Sequence, residues 1–315
     1  MPNAPDLPDP RIANPDQLAS AVQSVVSAGA ASGSRAVEIR VRDGIDLRLL
    51  PDRGLDIGAA WFRGTELAWI SEAGEQSPPQ PETLIDDAWR SVWGGGLVTT
   101  CGLSNVGAAS DGHGLHGTYT ARPAADLQVE RSPTGVTAKA TILDPPFALS
   151  RRIATSVGKG LARLDDRVVN ESDWTAAAPL LYHVNIGSPL WSDDAYLETD
   201  AHEVVPRDEA AANGLASWDE PPTPTIDAPE QVFEHVGASW ARLTSPRLGI
   251  ELTVRSSLPR LWQWVDPASG TYALALEPSN CSVLGRAHDI AAGQMPFLDP
   301  GEIRTSWLTI EARRL

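Results

Sequence analysis

Val37-Glu38-Ile39-Arg40-Val41-Arg42-Asp43-Gly44-Ile45-Asp46-Leu47-Arg48-Leu49 reads as a β-hairpin. Apolar and polar residues alternate on both sides of Asp43-Gly44, a dipeptide that tolerates the positive φ angles of a two-residue turn. The same period of two recurs down the chain. It predicts strands over 136–142, after the turn Ser132-Pro133-Thr134-Gly135, and over 148–157 and 161–169 across Gly158-Lys159-Gly160. Others are expected at 180–186, 240–244, 250–255, 261–265, 272–277 and 303–310. Many short strands without helices of crossover length between them argue against a parallel α/β sheet and predict an all-β, antiparallel sandwich or barrel.

One helix is expected near the start: Asn14 as N-cap, Pro15 at the first helical position, Leu18, Val22 and Val25 at helical spacing, and Gly29 as the stop. Residues 1–13, rich in Pro and Asp, are expected to form a tail, and 14–315 a single domain. Strand patterning of the same kind resumes after the Pro-rich connections 71–81 and 206–229, so these read as loops over the surface or over a site.

A hydrophobic fraction of 42% against 21% charged residues supports a large core. The net charge of −16, with no basic run, argues against a nucleic acid or an anionic membrane surface as partner. Two cysteines, Cys101 and Cys281, cannot build a disulfide framework in 315 residues and fit a reducing compartment. With no basic-then-apolar leader pattern and no stretch of the ~18 apolar residues a span needs, the chain is expected to be soluble and cytoplasmic.

Six histidines are few enough for position to matter. His113 and His116 sit in Asp111-Gly112-His113-Gly114-Leu115-His116-Gly117, where glycines allow close approach of backbone and ligand. In Leu180-Leu181-Tyr182-His183-Val184-Asn185-Ile186, alternation places His183 and Asn185 on one face of an otherwise apolar strand. A core histidine satisfied by a carbonyl has the same signature. Tyr272-Ala273-Leu274-Ala275-Leu276-Glu277-Pro278 is a core-type strand ending in a carboxylate, with Ala273 and Ala275 leaving room on its face. Partial desolvation there suits a general base, and an exposed strand-end Glu is the alternative. Arg53 either binds a ligand or pairs with Asp56, and the pair is the simpler expectation. Tryptophan is over-represented, 11 against four Phe and four Tyr. Trp262 and Trp264, two apart on a strand, share a face that could stack on a sugar or pack under a sheet. Cys101, in an apolar segment without a basic neighbour, reads as structural.

Taken in order, Pro51-Asp52-Arg53-Gly54-Leu55-Asp56-Ile57, Gly95-Gly96-Leu97-Val98-Thr99-Thr100-Cys101-Gly102-Leu103, Leu115-His116-Gly117, Tyr182-His183-Val184-Asn185, Leu276-Glu277-Pro278-Ser279-Asn280 and Gly285-Arg286 resemble the aldose 1-epimerase (galactose mutarotase-like) superfamily. The resemblance is closest to its domain-of-unknown-function branch and runs from about residue 30 to the C-terminus. It implies a large twisted antiparallel β-sandwich with the site in a cleft on one sheet.

It also implies roles. His116 matches the first histidine, a substrate contact. His183 matches the general acid on the ring oxygen, and Glu277 the base on the anomeric hydroxyl. Acid and base are expected to face opposite sides of one C–O bond. Arg53, Asn185, Trp264, Arg286 and His113 are the expected substrate-binding residues. The carboxylate that mutarotases place between the second histidine and the base has no clear counterpart, Trp262 and Trp264 standing near that point. The implied partner is a small-molecule carbohydrate, a modified sugar or sugar acid included. No metal or other cofactor is implied, and a homodimer is compatible. Two other readings stay open: a metal-dependent sugar isomerase or lyase using His113 and His116, and a non-catalytic carbohydrate-binding protein.

Overall fold

The computed structural model describes residues 10–315; most of the expected tail therefore lies outside the described residues. The hairpin forms as Arg35–Val41 and Ile45–Leu50, with Val37 opposite Leu49 and Ile39 opposite Leu47. Its alternation becomes burial: Val37, Ile39, Val41, Ile45, Leu47 and Leu49 all point into the core. Asp43 takes a positive φ of 55°. Gly44 is required sterically, because a Cβ there would meet Val41 Cγ2 at 2.4 Å and the Ser156 carbonyl at 2.6 Å.

Two large antiparallel sheets, with a small two-stranded one of Ala176–Ala177 and Phe297–Leu298, build the described residues. The larger has 11 strands and begins Ala19–Val25, Arg35–Val41, Ile45–Leu50, Asp56–Phe62, Val98–Gly102. It continues Leu180–Ile186, Ala273–Ser279, Arg260–Asp266, Gln231–Val236 and Glu203–Pro206, with Thr65–Glu66 set beside Asp56–Phe62. The smaller has eight strands, with Phe147–Ser156, Lys159–Asn170 and Ile303–Arg314 near its middle. Apolar side chains from both sheets, such as Leu47, Val184, Leu276, Ile153, Leu164 and Ile310, fill the space between them. The fold is thus the twisted all-β sandwich expected. Among the described residues no helix is long and apolar enough to cross a membrane.

The N-terminal helix is shorter than expected. Asn14 caps Asp16 and Gln17 completes a capping box, but the turn is a 3₁₀ helix covering only Pro15–Gln17. Ala19–Val25 then pairs along Arg35–Val41 as an edge strand, leaving Val22 and Val25 on the surface. The hairpin edge offers a row of unpaired backbone groups next to this segment, and pairing with it outweighs a weak valine-spaced helical pattern.

A buried ionic clamp joins the sheets. Arg151 contacts Asp166 through Nε (2.9 Å) and NH2 (2.7 Å), and reaches Asp56 Oδ1 at 2.7 Å and Thr100 Oγ1 at 2.9 Å. Tyr182 donates its hydroxyl to Asp166 Oδ2. Asp56 is therefore the partner of Arg151, not of Arg53. It is the first residue of its strand, while Arg53, in the turn before it, donates to the Gln76 and Val92 carbonyls instead.

Candidate active site

Register across the central strands decides which side chains meet. Leu181 pairs with Ser279 and Val184 with Leu276, which sets His183 opposite Glu277. His183 is paired on its other side with Thr99, and Glu277 with Trp262. Thr99, His183, Glu277 and Trp262 thus form one rung over four strands, followed on the same face by Asn185, Ala275 and Trp264. This face looks away from the inter-sheet core. Leu181, Trp262, Trp264, Ala273 and Ala275 belong to a second apolar cluster, with Trp69 and Trp89, beneath the long loops. Ala273 and Ala275 are themselves fully buried in this cluster.

His183 Nε2 lies 3.0 Å from Glu277 Oε1, and both side chains are 4% exposed. They sit side by side, not across a gap as the expected acid and base. His183 Nδ1 contacts Asn185 Oδ1. The Asn185 amide donates to the Gly96 carbonyl at 2.7 Å and the His183 carbonyl at 3.1 Å, so its NH2 group is committed and its oxygen can only accept from the imidazole. That fixes a proton on Nδ1 and leaves Nε2 to share a proton with Glu277. Asn185 is fully buried behind the ring. Expected to bind substrate, it instead orients His183.

His116 reaches the same place from its loop, with a φ of 56° that a non-glycine residue rarely adopts. Burial, then the proximity of His183 and Arg90, holds its pKa well below the ordinary histidine value, so it is neutral. Its Nδ1 accepts the Gly107 N–H at 3.3 Å, which puts the ring proton on Nε2 as a donor. Its ring centre is 5.8 Å from that of His183.

A cavity of about 340 Å³ is lined by His116, His183, Glu277, Trp89, Trp93 and Trp264. Trp89 and Trp93 stack at 4.7 Å, and the edges of Trp93 and Trp264 meet the His183 ring at 4.9 and 5.6 Å. Trp93 Nε1 donates to Thr99 Oγ1 at 3.1 Å and Trp264 Nε1 to Glu230 Oε2 at 2.9 Å. Trp264 is therefore both a packed side chain and a cavity wall. Trp262, by contrast, packs away from the cavity and donates to the Cys281 carbonyl.

Of the long connection 206–229 only Arg207 lines this cavity, while Trp218 within it packs on His235 and against the inter-sheet core. Arg207, near the start of the connection, and Glu230, just past its end, are paired at 3.1 Å, and Arg90 stands 3.6 Å from the other oxygen of Glu230. Burial pushes the Glu230 carboxyl up, but Trp264, Arg90 and Arg207 outweigh it and hold the group below the usual carboxylate range. A carboxylate between the second histidine and the base in chain order, without clear counterpart in the sequence, is thus present in the cavity wall. Arg90, Arg207, Glu230, Trp89 and Trp93 were not singled out from sequence. The spacing of Trp89 and Trp93, one helical turn apart just before Gly94-Gly95-Gly96, is the signal that could have found two of them.

Arg53, His113 and Arg286, expected to bind substrate, lie elsewhere. Arg53 lines a separate cavity of about 200 Å³ that shares only Trp93 with the first. His113 and Arg286 line a third, of about 320 Å³. Arg286 starts a short helix, Arg286–Ala291, which aims its guanidinium at the Ser104 carbonyl and Asp111. The glycines flanking His116 serve backbone packing: a Cβ on Gly114 would fall 2.2 Å from the Leu84 carbonyl. Among the described residues no three His, Cys, Asp or Glu side chains form a metal-binding group. Cys101 is fully buried, and that burial, with Glu277 nearby, pushes its thiol pKa far up, in keeping with a structural role.

The family model described as Domain of unknown function (DUF4432) matches residues 31–312. No curated protein matches the chain. Among solved structures, a candidate aldose 1-epimerase from Klebsiella pneumoniae superposes with a TM-score of 0.84 at 20% identity, over 93% of this chain and 83% of its own. A galactose mutarotase-like protein from Clostridium acetobutylicum gives 0.63 at 10% identity, over 95% and 100%. A galactose 1-epimerase from Lactobacillus acidophilus gives 0.62 at 15% identity, over 94% and 99%. At these identities the likeness is one of fold.

Proposed function

Because the chain belongs to the family described as Domain of unknown function (DUF4432), on a mutarotase-like fold, we propose that it interconverts the anomers of a small sugar by acid–base ring opening and closure. The observation that carries this reading is the His183–Glu277 pair, 3.0 Å apart in a tryptophan-walled cavity, with the histidine tautomer set by Asn185.

In the active form the shared proton rests on His183 Nε2 and Glu277 is a carboxylate. The ring oxygen and the anomeric hydroxyl of a cyclic hemiacetal hang on the same carbon, so adjacent groups can address both. Glu277 takes the hydroxyl proton, the O–H electron pair becomes the C1=O bond, the C1–ring-oxygen bond breaks, and that oxygen receives the Nε2 proton of His183. The open-chain aldehyde turns about C1–C2 and recloses on its other face with the roles reversed. No cofactor is consumed. Proton transfer of this kind is worth ~10²- to 10⁴-fold for each group.

His116 offers its Nε2–H to a sugar oxygen without adding charge beside His183. Trp89, Trp93 and Trp264 offer apolar faces to the C–H side of the ring, and Glu230 a hydroxyl acceptor. Buried, unpaired Cys101 and Cys281 suit a reducing compartment such as the cytoplasm. Saturation-transfer NMR of anomeric protons, run over a panel of aldoses and uronates, tests the proposal. Acceleration of exchange by wild type and its loss in Glu277→Gln are expected. A panel in which no sugar exchanges faster than in buffer would overturn it.

A further inference from the structure

One sheet edge lacks the protection that the others carry. An edge strand offers unpaired N–H and C=O groups to any extended chain, and native edges are blunted by shortness, proline, charge or a bulge. At the far end of the large sheet, Glu203–Pro206 is four residues long and ends in proline. In the small sheet, Tyr196–Thr199 is four residues long and contains Glu198. Its other edge, Ala124–Ser132, carries Asp126, Glu130 and Arg131 and an irregularity in pairing between Ala125 and Gln128. Ala19–Val25 has seven residues, Ala-Ser-Ala-Val-Gln-Ser-Val, with no charge, no proline and no break in its register. Val22 and Val25 are 58% and 62% exposed.

The register shows which backbone groups are free. The Arg42 N–H bonds to the Leu18 carbonyl and the Val26 N–H to the Ser34 carbonyl, at the two ends of the ladder with Arg35–Val41. Antiparallel ladders bond alternate residues, so Ser20, Val22 and Ser24 commit their backbone groups inside the sheet, and Ala21, Gln23 and Val25 point theirs outward. Among the described residues no strand pairs with that outer side. We propose that a second copy of this chain pairs antiparallel along this edge, about a two-fold axis at Gln23. Gln23 then faces the partner's Gln23, and Ala21 the partner's Val25, each pair exchanging two main-chain hydrogen bonds. Charge selects this partner: in a chain of net charge −16 most surfaces repel a copy of themselves, and a strand without charge does not. Residues 1–9 suit the edge less well, because Pro2, Pro5 and Pro8 cannot donate to a ladder. No residue of Ala19–Val25 lines the His183–Glu277 cavity, so the pairing stands whether or not the chain is a mutarotase.

Sedimentation velocity of the full chain tests this. Wild type should move from 33.6 kDa toward twice that mass as its concentration rises to about 100 µM, the range of a small interface. Gln23→Lys and Gln23→Glu each set like charges against one another on the axis, and each should be monomeric where wild type is dimeric. An equimolar mixture of the two variants should recover the dimer. Hydrogen exchange of wild type needs no variant: with rising concentration the Ala21, Gln23 and Val25 amides should gain several-fold more protection than those of Val22 and Ser24. A wild type still monomeric at the highest concentration, a dimer that survives in both variants, or a mixture that stays monomeric would overturn the proposal. Exchange at Ala21, Gln23 and Val25 that ignores concentration would do the same.

Discussion

Replacing Glu277 by Gln preserves the volume of the side chain and a hydrogen bond to His183, but removes the group that accepts the hydroxyl proton. Anomeric exchange should fall by ~10²-fold or more with the fold intact; exchange within about tenfold of wild type, measured by the same NMR method, would falsify the assignment of Glu277 as base. Asn185 offers a subtler test. Asn185→Asp sets a carboxylate against Nδ1 of His183, and a neighbouring negative charge favours the protonated imidazole. Activity that depends on protonated His183 should then persist to higher pH than in wild type. An unshifted pH profile in a folded Asn185→Asp variant would place Asn185 outside the proposed proton pathway.

Single strands carry side chains with opposite duties on their two faces. In Gln231–Val236, His235 faces inward, fully buried, with Nε2 2.8 Å from Gln263 Oε1, Nδ1 3.4 Å from Thr199 Oγ1 and the Trp218 ring 4.8 Å away. Burial lowers its pKa to about 4, so the folded protein refuses a proton that the unfolded chain accepts near 6.5. Stability should therefore be full above about pH 6.5, fall as pH drops toward 4, and level off below it. The loss is about 3 kcal/mol. Urea unfolding of wild type and His235→Gln between pH 7 and 4 isolates this contribution, which should be absent from the variant. On the neighbouring strand, Trp264→Ala removes an indole that is only 8% exposed and tethers Glu230. It should cost about 3 to 5 kcal/mol and also weaken sugar binding in the fraction that folds, as judged by melting and by titration. Folded Trp264→Ala with unchanged sugar affinity would leave the residue a packing element only.

The same contrast explains what was readable in advance. Alternation of polar and apolar residues revealed most of the strands of both sheets, and His183 and Glu277 stood out because each is a polar residue on an apolar strand. The Ala19–Val25 strand was hidden because its partner, not its own pattern, determines it. Arg53, Arg286 and His113 sit near the right motifs but turn aside, since the direction of a side chain in a turn or at a helix start is set by local backbone and not by a period. Arg207 and Glu230 were invisible because the 22 residues between them bring the two to 3.1 Å only in three dimensions.

For the molecule as a whole, the two sheets are held by apolar packing and by one charged cluster within it. Arg151→Met would leave Asp56 and Asp166 buried without their cation, which should cost about 3 to 5 kcal/mol; a denaturation midpoint equal to that of wild type would show that the carboxylates find other partners. The outer face of the large sheet is built differently. His183 and Glu277 are spaced by hydrogen-bonded backbone in the middle of the sheet, whereas Arg207, Glu230, Trp89, Arg90 and Trp93 come from the connections above it. The sheet therefore acts as a ruler and the loops as a lock. Changes confined to 87–93, Arg207 and Glu230 would recut one side of the cavity while the spacing of His183 and Glu277 stays protected by a framework that those changes do not touch.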